Sequence, residues 1–159
     1  MSLFSRRTLL CLPLALAACG FTPVYGPGGS GGTLQNNIEV IEPDTRDAFL
    51  VTRRIEERLG RAAVPTYKLS LSVTSSEEDL AVDREGNITR FNLLGETEFA
   101  LVEQSTGRIV SSGSVSNFTG YSATGSTVAT LSAERDAQQR LMTILADQII
   151  TRLLSADLS

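Results

Sequence analysis

The sequence of 159 residues contains no histidine and no tryptophan, and Lys68 is its one lysine. Without histidine, the common transition-metal sites and the Ser-His and Cys-His nucleophile systems are excluded. Lys68 lies in the alternating stretch YKLSLSV, where a strand would point it to solvent, so Schiff-base or Ser-Lys chemistry based on it is disfavoured. We therefore expect no metal, no cofactor and no catalytic site of these types.

Carboxylates are the remaining candidates for catalysis, since the chain has 18 acidic and 14 basic side chains. The densest set, Glu77-Glu78-Asp79, lies beside a predicted strand end, where a run of solvated charges is common. A carboxylate-based hydrolase stays open as a hypothesis, but we predict a protein that is not an enzyme. The acidic balance also argues against nucleic acid as a partner, because duplex binding depends on many phosphate contacts from lysine and arginine.

The first 18 residues have the pattern of a secretory signal peptide. Arg6 and Arg7 precede an apolar run over 8–18, which is too short for a transmembrane helix of roughly 20 residues. Leu16-Ala17-Ala18-Cys19 matches the bacterial lipobox, in which the chain is cut before the cysteine and the thiol receives a diacylglycerol. We expect these steps at Cys19, with export by the general secretory route or, since the arginines are adjacent, by the twin-arginine route.

Cleavage before Cys19 would remove Cys11, so no disulfide could form within the mature chain. It would also leave 12 basic and 18 acidic side chains, a formal charge of −6. The stretch GFTPVYGPGGSGGTLQNN is rich in glycine and has no periodicity, and we predict a flexible tether over 19–37. One folded domain is then expected over 38–159, which is long enough for a single core.

The domain begins with a short strand and a helix. NIEVIEP predicts a strand from Ile38 that stops at Pro43. Asp44 or Thr45 can cap the following helix, and Gly60 can end it. Apolar residues recur along this helix at spacings of three and four, which places them on one face; they are Ala48, Val51, Ile55 and Leu59.

Three consecutive strands follow and are predicted to form an antiparallel meander. The first is YKLSLSV, 67–73, and the second is an alternating run over 88–102. A long hairpin joins them, with the turn Asp83-Arg84-Glu85-Gly86-Asn87 at its tip. A further turn at 105–108 leads to a weaker strand rich in serine and glycine.

A final helix is predicted from a cap at Ser132 to about Leu154, after a loop of small hydroxylated residues over 119–131. The order βαβββα predicts an α+β fold, a two-layer sandwich with both helices on one face of a mostly antiparallel four-stranded sheet. The predicted buried stripe of the final helix consists of Ala137, Leu141, Ile144, Leu145, Ile149 and Leu153.

These features together resemble the LptE family of lipopolysaccharide-assembly lipoproteins. The resemblance rests on the lipobox, on Cys19-Gly20-Phe21 with PVYG close behind, on the βαβββα order and on the long hairpin with DREGN at its tip. The start CGFTPVYG is similar to the alphaproteobacterial branch of the family. Gly20 directly after the cysteine, where aspartate would retain a lipoprotein in the inner membrane, fits delivery to the outer membrane.

The resemblance implies an outer-membrane lipoprotein that faces the periplasm and is attached to the membrane through its lipid anchor. Members of the family act as a partner and plug of the LptD barrel and bind lipopolysaccharide (LPS). Two or three acyl chains give stable anchoring, whereas a single chain gives only marginal membrane binding. A firmly held protein without a catalytic inventory fits a scaffolding role better than turnover.

The resemblance also suggests which residues contact LPS. In the family a basic residue, a polar residue and glycine follow this strand, and Arg84-Glu85-Gly86 matches that pattern. Arg84 and Arg90 are therefore the candidate LPS-binding residues, since arginine binds phosphate in bidentate fashion; the alternative is that both are simply solvated. The family can carry a basic residue just before its last helix, where this chain has Ser132, with Arg135 one turn later.

The candidate contact with the barrel is the loop over 119–131 together with the Ser-rich strand before it. Small hydroxylated side chains lose little conformational entropy when they are buried in such a contact. An ordinary surface loop explains the same residues. A different function also stays open, in which the chain is the auxiliary lipoprotein of an ABC-type lipid transporter.

Overall fold

The computed structural model describes residues 29–156 and Leu158. The predicted signal peptide, Cys19 and the first part of the predicted tether lie outside the described residues. The elements in chain order are α1 (Ser30–Leu34), β1 (Ile38–Val40), α2 (Arg46–Leu59), β2 (Tyr67–Val82), β3 (Ile88–Glu103), β4 (Ile109–Ser122) and α3 (Thr127–Ser155). The predicted βαβββα order is confirmed from β1 onward, and α1 precedes it.

The ends of α2 are set by local chemistry that the sequence already indicated. The Thr45 side chain caps the helix, because its Oγ1 accepts a hydrogen bond from the backbone N–H of Ala48 at 3.1 Å. Gly60 ends it with a φ of +77°, a left-handed conformation that favours glycine. Val51, Ile55 and Leu59 are buried, as the spacing predicted.

The sheet has the strand order β1-β2-β3-β4. β1 runs parallel to β2 and pairs only with its first three residues, Tyr67 to Leu69, while β2–β3 and β3–β4 are antiparallel. Side chains alternate between the two faces along each strand. Leu69, Leu101 and Val115 are buried on the face that carries α2 and α3. The predicted two-layer α+β sandwich is confirmed, and we call the opposite face, which no described helix covers, the open face.

The prediction of a tether over 19–37 is wrong for its last part, 30–37. Leu34 in α1 is fully buried in the main core. The backbone N–H of Asn36 donates to the Leu59 carbonyl at 2.7 Å, and the Asn37 carbonyl accepts from Tyr67 at 3.0 Å. One buried leucine and satisfied backbone groups outweigh the glycine-rich composition here, so the folded domain begins about eight residues earlier than predicted.

The predicted start of the last helix at Ser132, and the loop before it, are also wrong. β4 continues to Ser122, and α3 begins at Thr127 with the Ser126 Oγ accepting from the Ala129 N–H at 3.3 Å. The first turns of α3 do not pack on the sheet, since Val128 and Leu131 are exposed. Hydrophobic periodicity therefore gives no signal there, although the helix has formed.

Most of the predicted stripe of α3 is buried, but Ile144 is only partly buried and lies beside β4. Because α3 contacts α2 as well as the sheet, a second row is buried too. Asp147 joins the two helices, since its carboxylate accepts two hydrogen bonds from the Arg54 guanidinium, each at 3.0 Å. The second buried row consists of Met142, Ala146 and Ile150.

Candidate functional site

The β2–β3 hairpin ends in a turn whose shape is fixed by Asp83. Its Oδ1 accepts from the backbone N–H groups of Glu85 at 3.0 Å and Asn87 at 2.8 Å, and its Oδ2 accepts from the Asn87 amide at 3.0 Å. These hydrogen bonds hold the pKa of Asp83 below its ordinary value, and the bond from the Asn87 side chain contributes most. Gly86 supplies the left-handed residue, with φ +87°. Arg84 is exposed on this ordered turn.

Arg90 lies near the tip within the sheet itself. It pairs with Ala81 of β2 and Ser122 of β4, which places it on the open face, and its side chain is exposed. The β2–β3 register shifts on either side of Ala81, and such bulges increase the local twist. Within the described residues, neither Arg84 nor Arg90 forms an ion pair.

Large apolar side chains are exposed at the same end of the molecule. Leu80 and Val82 lie on β2 next to the bulges and are 53% and 64% exposed. Val128 and Leu131 belong to the first turns of α3, which begins shortly after Ser122, the partner of Arg90. Guanidinium groups and exposed apolar side chains together suit an amphiphile that carries anionic groups. These residues surround the hairpin end on both sides of the sheet, since Arg90 lies on the open face and α3 on the other face. We call this set the tip surface: Leu80, Val82, Arg84, Arg90, Val128 and Leu131.

The base of the tip surface is held by an aromatic pair and a hydrogen bond. The rings of Phe91 and Tyr121 stack with centroids 5.2 Å apart. Tyr121 is buried, and its hydroxyl donates to Glu77 Oε2 at 2.9 Å, which ties β4 to β2 across β3. Burial and the Glu77 carboxylate raise the pKa of Tyr121 well above its ordinary value.

Glu77 therefore has a structural partner that the sequence did not reveal. The sequence suggested that Glu77-Glu78-Asp79 is a solvated run beside a strand end. The three residues lie inside β2, and all three are exposed. Only the contact with Tyr121, 44 positions away, distinguishes Glu77, and no periodicity or spacing could have indicated it.

Replacing Tyr121 with phenylalanine should lower the free energy of unfolding at pH 7 by about 1 kcal/mol, because one hydrogen bond to a charged group is lost. The folded state keeps the Tyr121 proton above pH 10, where the unfolded chain releases it, so wild-type stability should fall as pH rises beyond about 10. Urea unfolding between pH 7 and 11 should show that the free energy of unfolding falls less steeply with pH for Tyr121→Phe than for wild type. Parallel pH curves for both proteins would contradict the assignment.

The segment just before the last helix adds no basic residue to the two candidate LPS-binding arginines. Ser126, rather than Ser132, is the cap, and Arg135 lies within α3 and is exposed. Among residues 29–156, no group of three His, Cys, Asp or Glu side chains could hold a metal ion. No helix in the described part of the chain is long and apolar enough to cross a membrane.

Three solved structures share this architecture. A lipoprotein from Caulobacter crescentus CB15 is 23% identical, with 79% of this chain and 93% of that chain covered and a TM-score of 0.67. Rare lipoprotein B from Shewanella oneidensis is 15% identical, with 72% and 89% covered and a TM-score of 0.56. A minor lipoprotein from Acinetobacter baumannii is 17% identical, with 75% and 89% covered and a TM-score of 0.53. At these identities the similarity shows the fold alone.

Sequence comparison is more specific about the family. No curated protein matches the chain. The model of the LptE family, described as lipopolysaccharide-assembly, matches residues 35–153, which include every strand and both long helices except the last two residues of α3. The chain therefore belongs to the LptE family of lipopolysaccharide-assembly proteins.

Proposed function

We propose that this protein is a non-catalytic component of LPS transport to the outer membrane, a partner of an LptD-type barrel that binds LPS at its tip surface. Membership of the LptE family carries the proposal. It is anchored by lipid on Cys19 and faces the periplasm. The lipobox at 16–19 supports the anchor.

LPS suits the tip surface because its lipid A part combines phosphates with acyl chains. Arg84 and Arg90 have no carboxylate partner among the described residues, so their guanidinium groups need not break an ion pair before they bind phosphate. The exposed side chains of Leu80 and Val82 would lose contact with water when acyl chains cover them. Neither contact requires a metal or a titrating nucleophile.

The position of α1 supports an upright arrangement on the membrane. Ser30 Oγ donates to the Leu154 carbonyl, so the chain enters the domain at the C-terminal end of α3. The tip surface lies at the opposite end, about 50 Å away along the 16 residues of β3. Ten peptide links join Cys19 to Gly29, so the anchor can lie no more than about 36 Å from the start of the domain, which is less than the length of the sheet.

The contact with the barrel is proposed for the open face next to β4. The serine and glycine residues of β4 are small, so another surface can approach closely at little entropic cost. A groove of about 580 Å³ lies on this face and extends from Thr74 of β2 across Leu94 of β3 to Phe118 of β4. Phe118 is 63% exposed, so a barrel wall could bury it.

LPS binding is tested with the double variant Arg84→Glu/Arg90→Glu. We expect its affinity for purified LPS to fall at least about tenfold relative to wild type, since two charge-assisted contacts become repulsive. Titration calorimetry of the mature lipoprotein in detergent measures this change, and the wild-type affinity should weaken as salt rises. Equal affinity of the double variant and wild type would contradict the proposed site.

Arg108→Glu is the matched control for that variant. Like Arg84, Arg108 is exposed beside a turn glycine of positive φ, but its turn, with Gly107, lies at the opposite end of the sheet. Its nearest carboxylate is Glu103, with a nitrogen–oxygen distance of 4.0 Å. LPS affinity should stay within about twofold of wild type, because exposed pairs of this kind contribute little.

Copurification from membranes in mild detergent distinguishes the barrel partner from an ABC-type transporter. Recovery of an LptD-type barrel with the tagged lipoprotein supports the proposal, and recovery of transporter subunits without a barrel contradicts it. Depletion of the protein should also reduce LPS at the cell surface. Normal surface LPS after depletion would rule out a role in its assembly.

A further inference from the structure

The two edges of the sheet differ in how they are protected against pairing with another strand. β2 is covered by β1 at its start, and further along it carries Glu77, Glu78 and Asp79 and a bulge at Ala81. Charges and bulges are the usual devices that keep an edge strand from pairing. β4 forms the other edge.

β4 has none of those devices over most of its length. Its 14 residues include no charged side chain and no proline. Its register with β3 is unbroken from Ser111 to Ser122, so the strand stays regular. A long, regular and uncharged edge presents a row of backbone donors and acceptors to any extended chain that approaches.

A groove runs along this edge, beside α3. It has a volume of about 770 Å³ and is lined on one side by Ser114, Val115 and Ser116 of β4. Ile144 and Gln148 of α3 line the other side. Ile144 follows the apolar spacing of the helix yet is only partly buried, because no described strand lies beyond β4 to cover it. The Gln148 Oε1 atom is enclosed but accepts no hydrogen bond from residues 29–156.

Arg152 gives the groove a charge. Its guanidinium lies so close to Gly113 that a Cβ there would be 3.2 Å from Arg152 Nη1. Within the described residues, Arg152 has no carboxylate within ion-pair distance. A strand added to β4 would pass beside Arg152, and a carboxylate on that strand would pair with the guanidinium.

We propose that the outer edge of β4 accepts an extended segment of a partner polypeptide as a fifth strand, with an acidic side chain facing Arg152. Main-chain hydrogen bonds provide the affinity, while Ile144 and Arg152 select the side chains, as in other cases of strand addition. A second copy of this chain fits less well, because its own β4 carries no carboxylate to meet Arg152. The proposal goes beyond LPS binding and does not depend on it.

The probe is a displayed library of random peptides of about twelve residues, comparable to β4 in length. Selection uses the mature lipoprotein in detergent, with Ser114→Lys as the counter-selection target, since an edge lysine opposes pairing. We expect enriched peptides that alternate apolar and polar residues and share one acidic position. The proposal would be overturned if the enriched peptides shared no acidic position. It would also be overturned if they bound Ser114→Lys as well as they bind wild type.

Charge reversal then tests the pairing directly. Arg152→Glu should lower the affinity for a selected acidic peptide about tenfold. Replacing the acidic residue of the peptide with arginine should restore its binding to that variant. Ser72→Lys is the control, because Ser72 occupies an exposed position on the open face of β2. It should leave the affinity unchanged, and LPS affinity should be the same in wild type and Ser114→Lys.

Hydrogen exchange locates the bound peptide. Backbone amides of β4 should become protected on binding, while those of β2 should not change. Protection elsewhere would overturn the proposal. A dimer in light scattering whose β4 amides are already protected without peptide would also overturn it, because a second copy would then occupy the edge.

Discussion

Replacing Leu34 with alanine should lower the free energy of unfolding by about 2–5 kcal/mol, the usual range when a fully buried leucine leaves a cavity. Leu34 belongs to the same core cluster as Leu59 and Leu153, although it comes from a glycine-rich stretch. Urea unfolding of the mature chain, followed by circular dichroism, measures the loss. The change would show that α1 is part of the folded domain and not of the tether.

Thr33→Ala is the matched control for this variant. Thr33 precedes Leu34 in α1 but is exposed, and its side chain makes no hydrogen bond among the described residues. Its stability should stay within about 0.5 kcal/mol of wild type. If Leu34→Ala lowered the stability as little as Thr33→Ala, α1 would be only loosely attached to the core. The tether to the lipid anchor would then be longer by several residues.

Local patterns were sufficient to predict the architecture where one face of an element is buried. The alternation from Tyr67 to Val73 predicted a strand, and a cap at Asp44 or Thr45 with a stop at Gly60 predicted both ends of α2 to within one residue. These signals are local, since they depend on side-chain period and on backbone groups a few residues away. The sheet order followed because consecutive strands joined by tight turns pair with their neighbours.

The same patterns failed where packing is carried by single contacts. Leu34 is one apolar residue in a glycine-rich segment, and nothing within that segment indicates that its side chain is buried in the core. The first turns of α3 are the converse case, a helix without a buried stripe, so its true cap at Ser126 resembled another loop serine. Tertiary contacts decide both, and no local window contains them.

The candidate site was predicted only in part. Arg84 and Arg90 were identified from the hairpin tip and the family pattern, which fix their positions along the chain. The exposure of Leu80 and Val82 depends on the bulges around Ala81, and a bulge changes the face on which a strand residue lies. The apolar half of the tip surface therefore required the three-dimensional structure.

Replacing Gly95 with valine should destabilise the domain by about 1–3 kcal/mol, in spite of valine's preference for strands. Gly95 lies in β3 beneath α3, and a Cβ at that position would be 2.9 Å from Leu145 Cδ1 and 3.1 Å from Leu141 Cδ2. Valine would force the helix away from the sheet, which loosens contacts all along α3. Thermal unfolding by circular dichroism, supported by urea unfolding, measures the effect.

Gly113→Val separates this packing effect from the general effect of removing a glycine. Gly113 faces the same helix from β4, but its Cβ would meet the mobile end of Arg152 at 3.2 Å and the Phe99 ring at 3.5 Å, so its change in stability should be small. In Gly95→Val/Leu145→Ala the shortened side chain leaves room for valine. The double variant should be more stable than the sum of the two single losses predicts. Simple additivity would mean that Gly95 is needed for its backbone and not for the space it leaves beneath α3.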